Sequence, residues 1–361
     1  TSNGGKCKVL AVCGCLAQRY AAQIKEEISE VDVIVGTSAY EDITKAIKNA
    51  LDKKGESIYI KDICHLPVVE SERILTTGGH YAYLKIAEGC NKHCTYCIIP
   101  KLRGTYRSVP MENLIKEAKA LSLKGVKELI LVAQETTLYG VDLYGEKKLP
   151  ELLKELNAIE GIKWIRLLYA YPEEITDEII DAIKENEKVC NYIDMPIQSG
   201  SDEILKRMGR KTSVSDIKNT VRKLREKIPD ICIRTTIDEM EFDRLGVFTY
   251  SREEDTPAYS FSDQIDDETS NKRKEEIMLL QQDIVFNKNE EMLSKEIYAF
   301  VEGKISDDDV YVARTYMDAP TVDSFVFIET DRSLMSGDFV KVRITDANEY
   351  DLIGVIVDES A

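Results

Sequence analysis

Cys90, Cys94 and Cys97 stand in the run Ala87-Glu88-Gly89-Cys90-Asn91-Lys92-His93-Cys94-Thr95-Tyr96-Cys97-Ile98-Ile99-Pro100. Three thiols so closely spaced can ligate three irons of a [4Fe-4S] cube, which leaves the fourth iron open. An open iron can bind a small molecule and pass it an electron. A cube closed by four cysteines is better suited to storing one. Zinc is the second chemistry open to these residues, with His93, His80 or His65 as fourth ligand. Zinc sites usually pair two short Cys/His spacings, and the sequence has no second pair. Disulfides fit less well, because the nine cysteines are odd in number and irregularly spaced. Cys7, Cys64, Cys190 and Cys232 fall in or near strand-like stretches and read as small apolar residues.

The elements that must hold the cysteine loop follow from the hydrophobic pattern. From residue 81 onward, strand candidates at 83–87, 128–133, 164–168, 192–195, 231–235 and 245–248 alternate with helical patterns at 111–124, 150–159, 174–187 and 214–227. Such alternation predicts a parallel βα array, closed or partly closed like a barrel, with function at the strand C-terminal ends. Cys90 follows the first strand at that end. Only nine residues, 236–244, separate the fifth and sixth strands. A parallel crossover usually needs a dozen or more, so the sequence predicts either an antiparallel pair or, preferably, a missing segment.

Ahead of this array, strand patterns at 8–13 and 31–35 and helical patterns at 16–29 and 40–53 read as α/β material for a parallel sheet. The first residue is not Met, and two or three strands make a small sheet. Both features point to an N-terminal truncation. Residues 71–79 read as a linker. After the array, 267–295 reads as one long helix that could run along the barrel's outside. Five short strand patterns then follow at 298–301, 310–314, 324–329, 338–344 and 352–357, as expected of a small antiparallel barrel.

The chain has 361 residues, 43% hydrophobic and 31% charged, with a formal net charge of −17. No apolar run reaches the roughly 18 residues of a membrane span. The odd cysteine count and the lack of a signal-like start point to a reducing, cytoplasmic compartment. Residues 296–361 hold fifteen Asp or Glu against five Lys or Arg, a net of −10. Such a surface repels phosphates and attracts basic partners.

The cysteine spacing, with aromatic Tyr96 before the third thiol, resembles the signature of radical S-adenosylmethionine (SAM) enzymes. The strings Ala87-Glu88-Gly89-Cys90, Ile98-Ile99-Pro100, Leu102-Arg103-Gly104, Gly14-Cys15-Leu16-Ala17-Gln18-Arg19-Tyr20 and Asp351-Leu352-Ile353-Gly354 resemble the methylthiotransferases among them. The resemblance covers nearly the whole chain. It implies an α/β (flavodoxin-like) methylthiotransferase domain fragment at 1–72, a partial (β/α)6 radical SAM barrel at 80–290, and a TRAM barrel at 291–361. Ala133-Gln134-Glu135-Thr136-Thr137-Leu138-Tyr139-Gly140, Leu168-Tyr169-Ala170-Tyr171-Pro172 and Asp318-Ala319-Pro320-Thr321-Val322-Asp323 are similar to the protein-modifying branch. That branch adds a methylthio group to the β-carbon of an aspartate in small-subunit ribosomal protein twelve. The acidic C-terminal barrel agrees with a basic protein partner better than with tRNA. The same chemistry on tRNA adenosine, and a non-catalytic metal-cluster module, are the alternatives.

The resemblance further implies two [4Fe-4S] clusters, SAM and an external electron donor. Cys90, Cys94 and Cys97 would hold one cluster. Of the three ligands to the second, only Cys15 matches; Cys13 does not fall on a ligand position. A Gly-Pro-Gly-rich loop and helix that the family carries between Thr236 and Asp238 is also absent. In this reading Tyr96 lies along the SAM adenine or packs in its loop. Glu135 takes the SAM amino group, beside Gln134 at the same strand end. Gln198, Ser199 and Ser201 bond ribose or carboxylate, or form a helix N-cap. Arg234 pairs with a carboxylate inside the barrel, and Lys101, Arg103 and Arg107 are solvated.

Overall fold

Short apolar strands alternate with helices through most of the chain, and this pattern builds two parallel sheets before giving way to a closed barrel. The computed structural model describes residues 6–65, 73–76, 78–235, 242–305 and 309–357. The chain divides into two units. One comprises Thr1–Ile74, Glu88–His93 and Cys97–Arg107; the other comprises Leu75–Ala87, Cys94–Tyr96 and Ser108–Ala361.

In the first unit, β1 (Ala11–Cys13), β2 (Val33–Val35) and β3 (Ile58–Tyr59) pair in parallel, in that order. Alternate residues of β2 serve two faces, as strand geometry requires. Ile34 packs with Ala17 and Ala21 of helix α1 (Cys15–Glu27). Val33 and Val35 pack with Ala46 of α2 (Ile43–Leu51). Cys7 is exposed here, and so is Cys64, 3.7 Å from the Thr105 hydroxyl. Neither is the buried apolar residue its sequence context suggested. Most of the expected linker at 71–79 is described, except 71, 72 and 77.

In the second unit, β4 (Tyr81–Lys85) leads the half-barrel. The two-residue strands β5 (Ala87–Glu88) and β6 (Arg107–Ser108) pair with each other, and helix α3 (Ile99–Arg103) belongs to the first unit. The half-barrel continues through α4 (Met111–Leu123), β7 (Glu128–Val132), α5 (Val141–Tyr144), α6 (Leu149–Asn157), β8 (Trp164–Leu167), α7 (Asp177–Glu185), β9 (Val189–Asp194), α8 (Asp202–Arg207), α9 (Val214–Lys227), β10 (Cys232–Thr235) and β11 (Arg244–Leu245). Its six strands run in the order β4-β7-β8-β9-β10-β11, every neighbour parallel. Helix α9 starts with a reciprocal cap: Ser213 Oγ accepts from Asp216 N–H at 3.1 Å, and Asp216 accepts from Ser213 N–H at 3.0 Å. Cys190 and Cys232 are buried in the strands, and burial pushes the Cys190 thiol up to about 12.

The sixth strand rules out the antiparallel alternative. β11 pairs parallel with β10, Arg234 opposite Arg244, and it is two residues long. Asp243 N–H donates to the Ile233 carbonyl at 3.1 Å. Residues 236–241 of this connection lie outside the described residues.

Helix α10 (Asp267–Glu290) ends before the expected 295. It buries Gln281, Val285 and Asn289 at four-residue spacing, and Gln281 donates to the Phe242 carbonyl at 2.9 Å. The C-terminal barrel is closed by β12 (Glu296–Lys304), β13 (Val310–Thr315), β14 (Val326–Glu329), β16 (Leu352–Ile356) and β15 (Phe339–Ala347), in that spatial order. Four pairings are antiparallel, but β14 and β16 run parallel. The long β15 intervenes in the sequence and pairs with β12, so β16 returns beside β14 in the same direction.

The barrel is joined to the half-barrel by charge and by aromatic packing. Fully buried Glu128 of β7 accepts from Arg166 of β8 at 2.8 Å and from Arg314 of β13 at 2.6 Å. Arg314 also pairs with Glu302 at 2.6 Å. Beside them, Trp164 meets Phe300 edge-on at 4.6 Å.

Candidate functional site

In the first unit, glycine makes the turn that delivers Cys90. Gly89 has φ +80°, and a Cβ there would lie 2.1 Å from the Thr105 carbonyl oxygen. Only a residue without a side chain fits this approach. The Cys90 N–H donates to the Gly104 carbonyl at 3.1 Å, and Tyr106 N–H donates to Asn91 Oδ1 at 2.9 Å. The Cys90 sulfur accepts from the Lys92 N–H at 3.4 Å. Cys90 is buried and Cys97 half-buried.

Cys15 opens α1 in the same unit, after Gly14 turns the chain at φ +104°. Arg103 shares the electrostatic neighbourhood of the Cys15 thiol and pairs with Glu88 at 3.4 Å. Tyr40 shares this neighbourhood with Cys13, Cys15, Glu88 and Arg103; burial pushes its phenol up, and Arg103 opposes the shift. Burial also raises the Cys13 thiol. Arg107 donates to the carbonyls of Ile63 at 3.1 Å and Arg103 at 2.9 Å. Arg103 and Arg107 thus bind protein groups rather than solvating the loop, while Lys101 is exposed.

In the second unit, Cys94 is buried, and the residue after it is clamped. Thr95 N–H donates to the Met208 carbonyl at 2.9 Å, its hydroxyl donates to the Arg207 carbonyl at 2.9 Å, and its own carbonyl accepts from Ala258 N–H at 2.9 Å. Burial drives the Tyr96 hydroxyl well above the usual phenol range; neighbouring Cys94 adds to the shift and Arg210 opposes it. Gln134 and Glu135 follow the C-terminal end of β7 as expected. Glu135 is fully buried, and its Oε1 accepts from Thr137 N–H at 3.0 Å and Tyr171 N–H at 3.5 Å. Gln134 Oε1 is buried without a hydrogen-bond partner among the described residues.

Gln198 takes a left-handed backbone, φ +73°, in the loop after β9. Ser199 Oγ accepts from Ser201 N–H at 3.2 Å, and Ser201 caps α8 through Ile204 N–H at 3.5 Å. Arg234 on β10 finds two carboxylates, Asp194 at 2.8 Å and Asp323 at 3.1 Å. Asp323 lies between β13 and β14 of the C-terminal barrel, and the Tyr192 hydroxyl donates to it at 2.9 Å.

Among the described residues, no three Cys, His, Asp or Glu side chains form a ready-made metal site. His65 and His80 have carboxylate partners, Glu41 at 3.1 Å and Glu302 at 3.2 Å. The donor set nevertheless suits an iron–sulfur group. Cys90, Cys94 and Cys97 are all free thiols within eight residues of sequence. Beside Cys94, Arg210 keeps two buried nitrogens, Nε and Nη1, without hydrogen-bond partners among the described residues. A negatively charged cluster is the kind of neighbour such a cation accommodates.

Residues 84–244 match the Radical SAM superfamily, and residues 295–357 match the TRAM domain. The ribosomal protein uS12 methylthiotransferase RimO of Lachnoclostridium phytofermentans is 52% identical over 369 residues, spanning 97% of this chain and 84% of that protein. The chain belongs to the RimO family of radical SAM methylthiotransferases. RimO of Acetivibrio thermocellus is 48% identical over 380 residues, spanning 98% of this chain and 84% of its own length. Both matches run longer than the 361 residues present here, so these relatives carry residues within the matched span that this chain lacks. A solved radical SAM methyltransferase, TsrM from Kitasatospora setae, aligns with a TM-score of 0.48 at 12% identity over 62% of this chain and 50% of its own.

Family membership implies SAM and a [4Fe-4S] cluster, as the cysteine spacing suggested. Sequence reasoning did not single out Arg210, Asp194 or Asp323. Nothing in the run Met208-Gly209-Arg210-Lys211 distinguishes the arginine that turns inward from its exposed lysine neighbour.

Proposed function

We propose that this chain transfers a methylthio group to the β-carbon of an aspartate in ribosomal protein uS12. Supporting this is 52% identity to a uS12 methylthiotransferase across nearly the whole chain, together with the Radical SAM match over residues 84–244, where the cysteine triad stands. The proposed modules are 1–72, 80–290 and 291–361. Cys90, Cys94 and Cys97 supply the thiolates of a [4Fe-4S] cluster, and Gly89 and Gly104 set the loop that carries them. When bound, the cluster and SAM supply the radical chemistry needed to take hydrogen from an unactivated carbon. Tyr96 lines the SAM adenine, and Gln134 and Glu135 face the SAM amino group. Gln198 and Ser199 approach the ribose and carboxylate from the loop that Ser201 fixes. Arg234, held by Asp194 and Asp323, belongs to the cofactor-binding set inside the barrel.

Cys15 belongs to the ligand set of a second, sulfur-supplying cluster, and the extra residues of the relatives include the mid-barrel loop. An external low-potential protein provides electrons. The acidic C-terminal barrel, with Glu329, Asp331, Asp346 and Glu349 exposed, receives the basic ribosomal protein; tRNA suits this surface less. A ribosomal substrate implies a cytoplasmic enzyme, and no described helix is long and apolar enough to cross a membrane. The test is anaerobic reaction with SAM, a reductant and a uS12 peptide, read by mass spectrometry. Gain of one methylthio group on aspartate is expected. An unmodified peptide beside modified tRNA overturns the reading.

A further inference from the structure

We propose that Arg210 is a positioning residue for the cluster: it holds Tyr96 against Cys94, and its charge favours the reduced state of the cluster bound there. The inference rests on the reading that Cys94 is a cluster ligand. Arg210 follows α8, where Gly209 at φ +72° turns the chain and the Arg210 N–H donates to the Leu205 carbonyl at 2.9 Å. The two preceding carbonyls, of Arg207 and Met208, are those that clamp Thr95. One turn of backbone therefore fixes the residue after Cys94 and aims Arg210 at the same place.

The side chain is 1% exposed. Its guanidinium stacks on Tyr171 at 4.2 Å, and Nη2 donates to Glu173 at 3.0 Å and to the Pro196 carbonyl at 3.4 Å. Those contacts orient the fork but leave Nε and Nη1 unpartnered among the described residues. Tyr96 lies in the electrostatic neighbourhood of both Arg210 and the Cys94 thiol. A buried, permanently charged group with spare donors is costly unless something nearby uses it.

A [4Fe-4S]2+ cube with three thiolates carries one net negative charge. It gains a second when a low-potential donor gives it one electron. A fixed cation stabilises the second charge more than the first, and hydrogen bonds to a ligating sulfur act in the same direction. Glu173 offsets part of the Arg210 charge but uses only Nη2.

The test is a redox titration followed by electron paramagnetic resonance, on anaerobically reconstituted full chain with photoreduced deazaflavin as reductant. Wild type, Arg210→Gln, Arg210→Lys and Tyr96→Phe are compared at matched iron and sulfide content. Arg210→Gln should shift the one-electron reduction equilibrium at least tenfold toward the oxidised cluster, about 59 mV. Arg210→Lys should stay within threefold of wild type, and Tyr96→Phe should shift the same way as Arg210→Gln but less. A fully loaded Arg210→Gln protein with unchanged potential overturns the proposal. So does a Lys variant that shifts as far as the Gln variant, or a loss of SAM affinity with no change in potential. If Arg210→Gln does not load a cluster, an unchanged potential in Tyr96→Phe overturns it. Wild type that binds no iron or sulfide refutes the cluster reading itself and is told apart at that step.

Discussion

Replacing Glu128 with Gln should loosen the junction between the half-barrel and the C-terminal barrel without touching the cysteine loop. Glu128 is fully buried and binds Arg166 and Arg314, one on each oxygen. Neither arginine can shed its proton. Glu302 still pairs with Arg314, whereas Arg166 keeps only the carbonyls of Tyr316 at 2.6 Å and Thr315 at 3.3 Å. Removing one partner of a buried ion pair costs about 3–5 kcal/mol. Glutamine still accepts one hydrogen bond, so the lower end, about 3 kcal/mol, is expected. For a unit of this size that is a fall in Tm of about 6–12 °C, read by calorimetry and by faster proteolysis at 291–295. The effect should depend on pH. Burial alone would raise the Glu128 carboxyl, but Arg166 and Arg314 outweigh it and hold it below its ordinary value. Its contribution is complete above the unfolded carboxyl value, about 4.3, and is lost as pH falls through the folded value. The gap between wild type and variant should therefore narrow in acid. A loss under about 1 kcal/mol, or a gap that widens in acid, would refute the reasoning.

Gly89→Ala should abolish cluster loading, because its Cβ would strike the Thr105 carbonyl at 2.1 Å and φ is +80°; iron and sulfide per chain measure this, and full loading would contradict it. Arg234→Met should destabilise the protein most near neutral pH. Burial already raises the Asp323 carboxyl against the pull of Arg234. Without Arg234 it rises further, and stability is lost as pH climbs through that folded value. Denaturant midpoints at pH 5 and pH 7 should show a larger deficit at pH 7, and equal deficits count against the argument. Ser201→Ala should cost about 1 kcal/mol through loss of the α8 cap. A calorimetric SAM affinity unchanged by the same substitution would make Ser201 a cap only, and a large loss would make it a ligand.

The cysteine motif, the first five parallel strands of the array and the closed terminal barrel were all legible, because each depends on local spacing or on a period of two or 3.6 residues. The parallel β11 was not. Its pairing depends on how far back the chain must travel, and a two-residue strand leaves almost no pattern. The parallel contact of β14 with β16 was also hidden, since it follows from where β15 lies. Arg103 and Arg107 read as solvated because nothing local reveals a buried carboxylate or carbonyl beside a positive charge.

The C-terminal acidity shows the division most clearly. Sequence fixes a net of −10 for residues 296–361. Only the folded chain assigns those carboxylates: Glu302 to Arg314, Asp318 to Arg244 at 2.7 Å, and Asp323 to Arg234, all within the second unit. Part of the charge that looked like a surface for a basic partner is therefore consumed in holding the barrel in place. By itself the sequence determined the cysteine spacing, the family and the order of the elements, since these are properties of residue type and spacing. The tertiary structure decided which charges stay available and brought Arg210 to Cys94, because burial and ion pairing depend on distances between residues far apart in the chain.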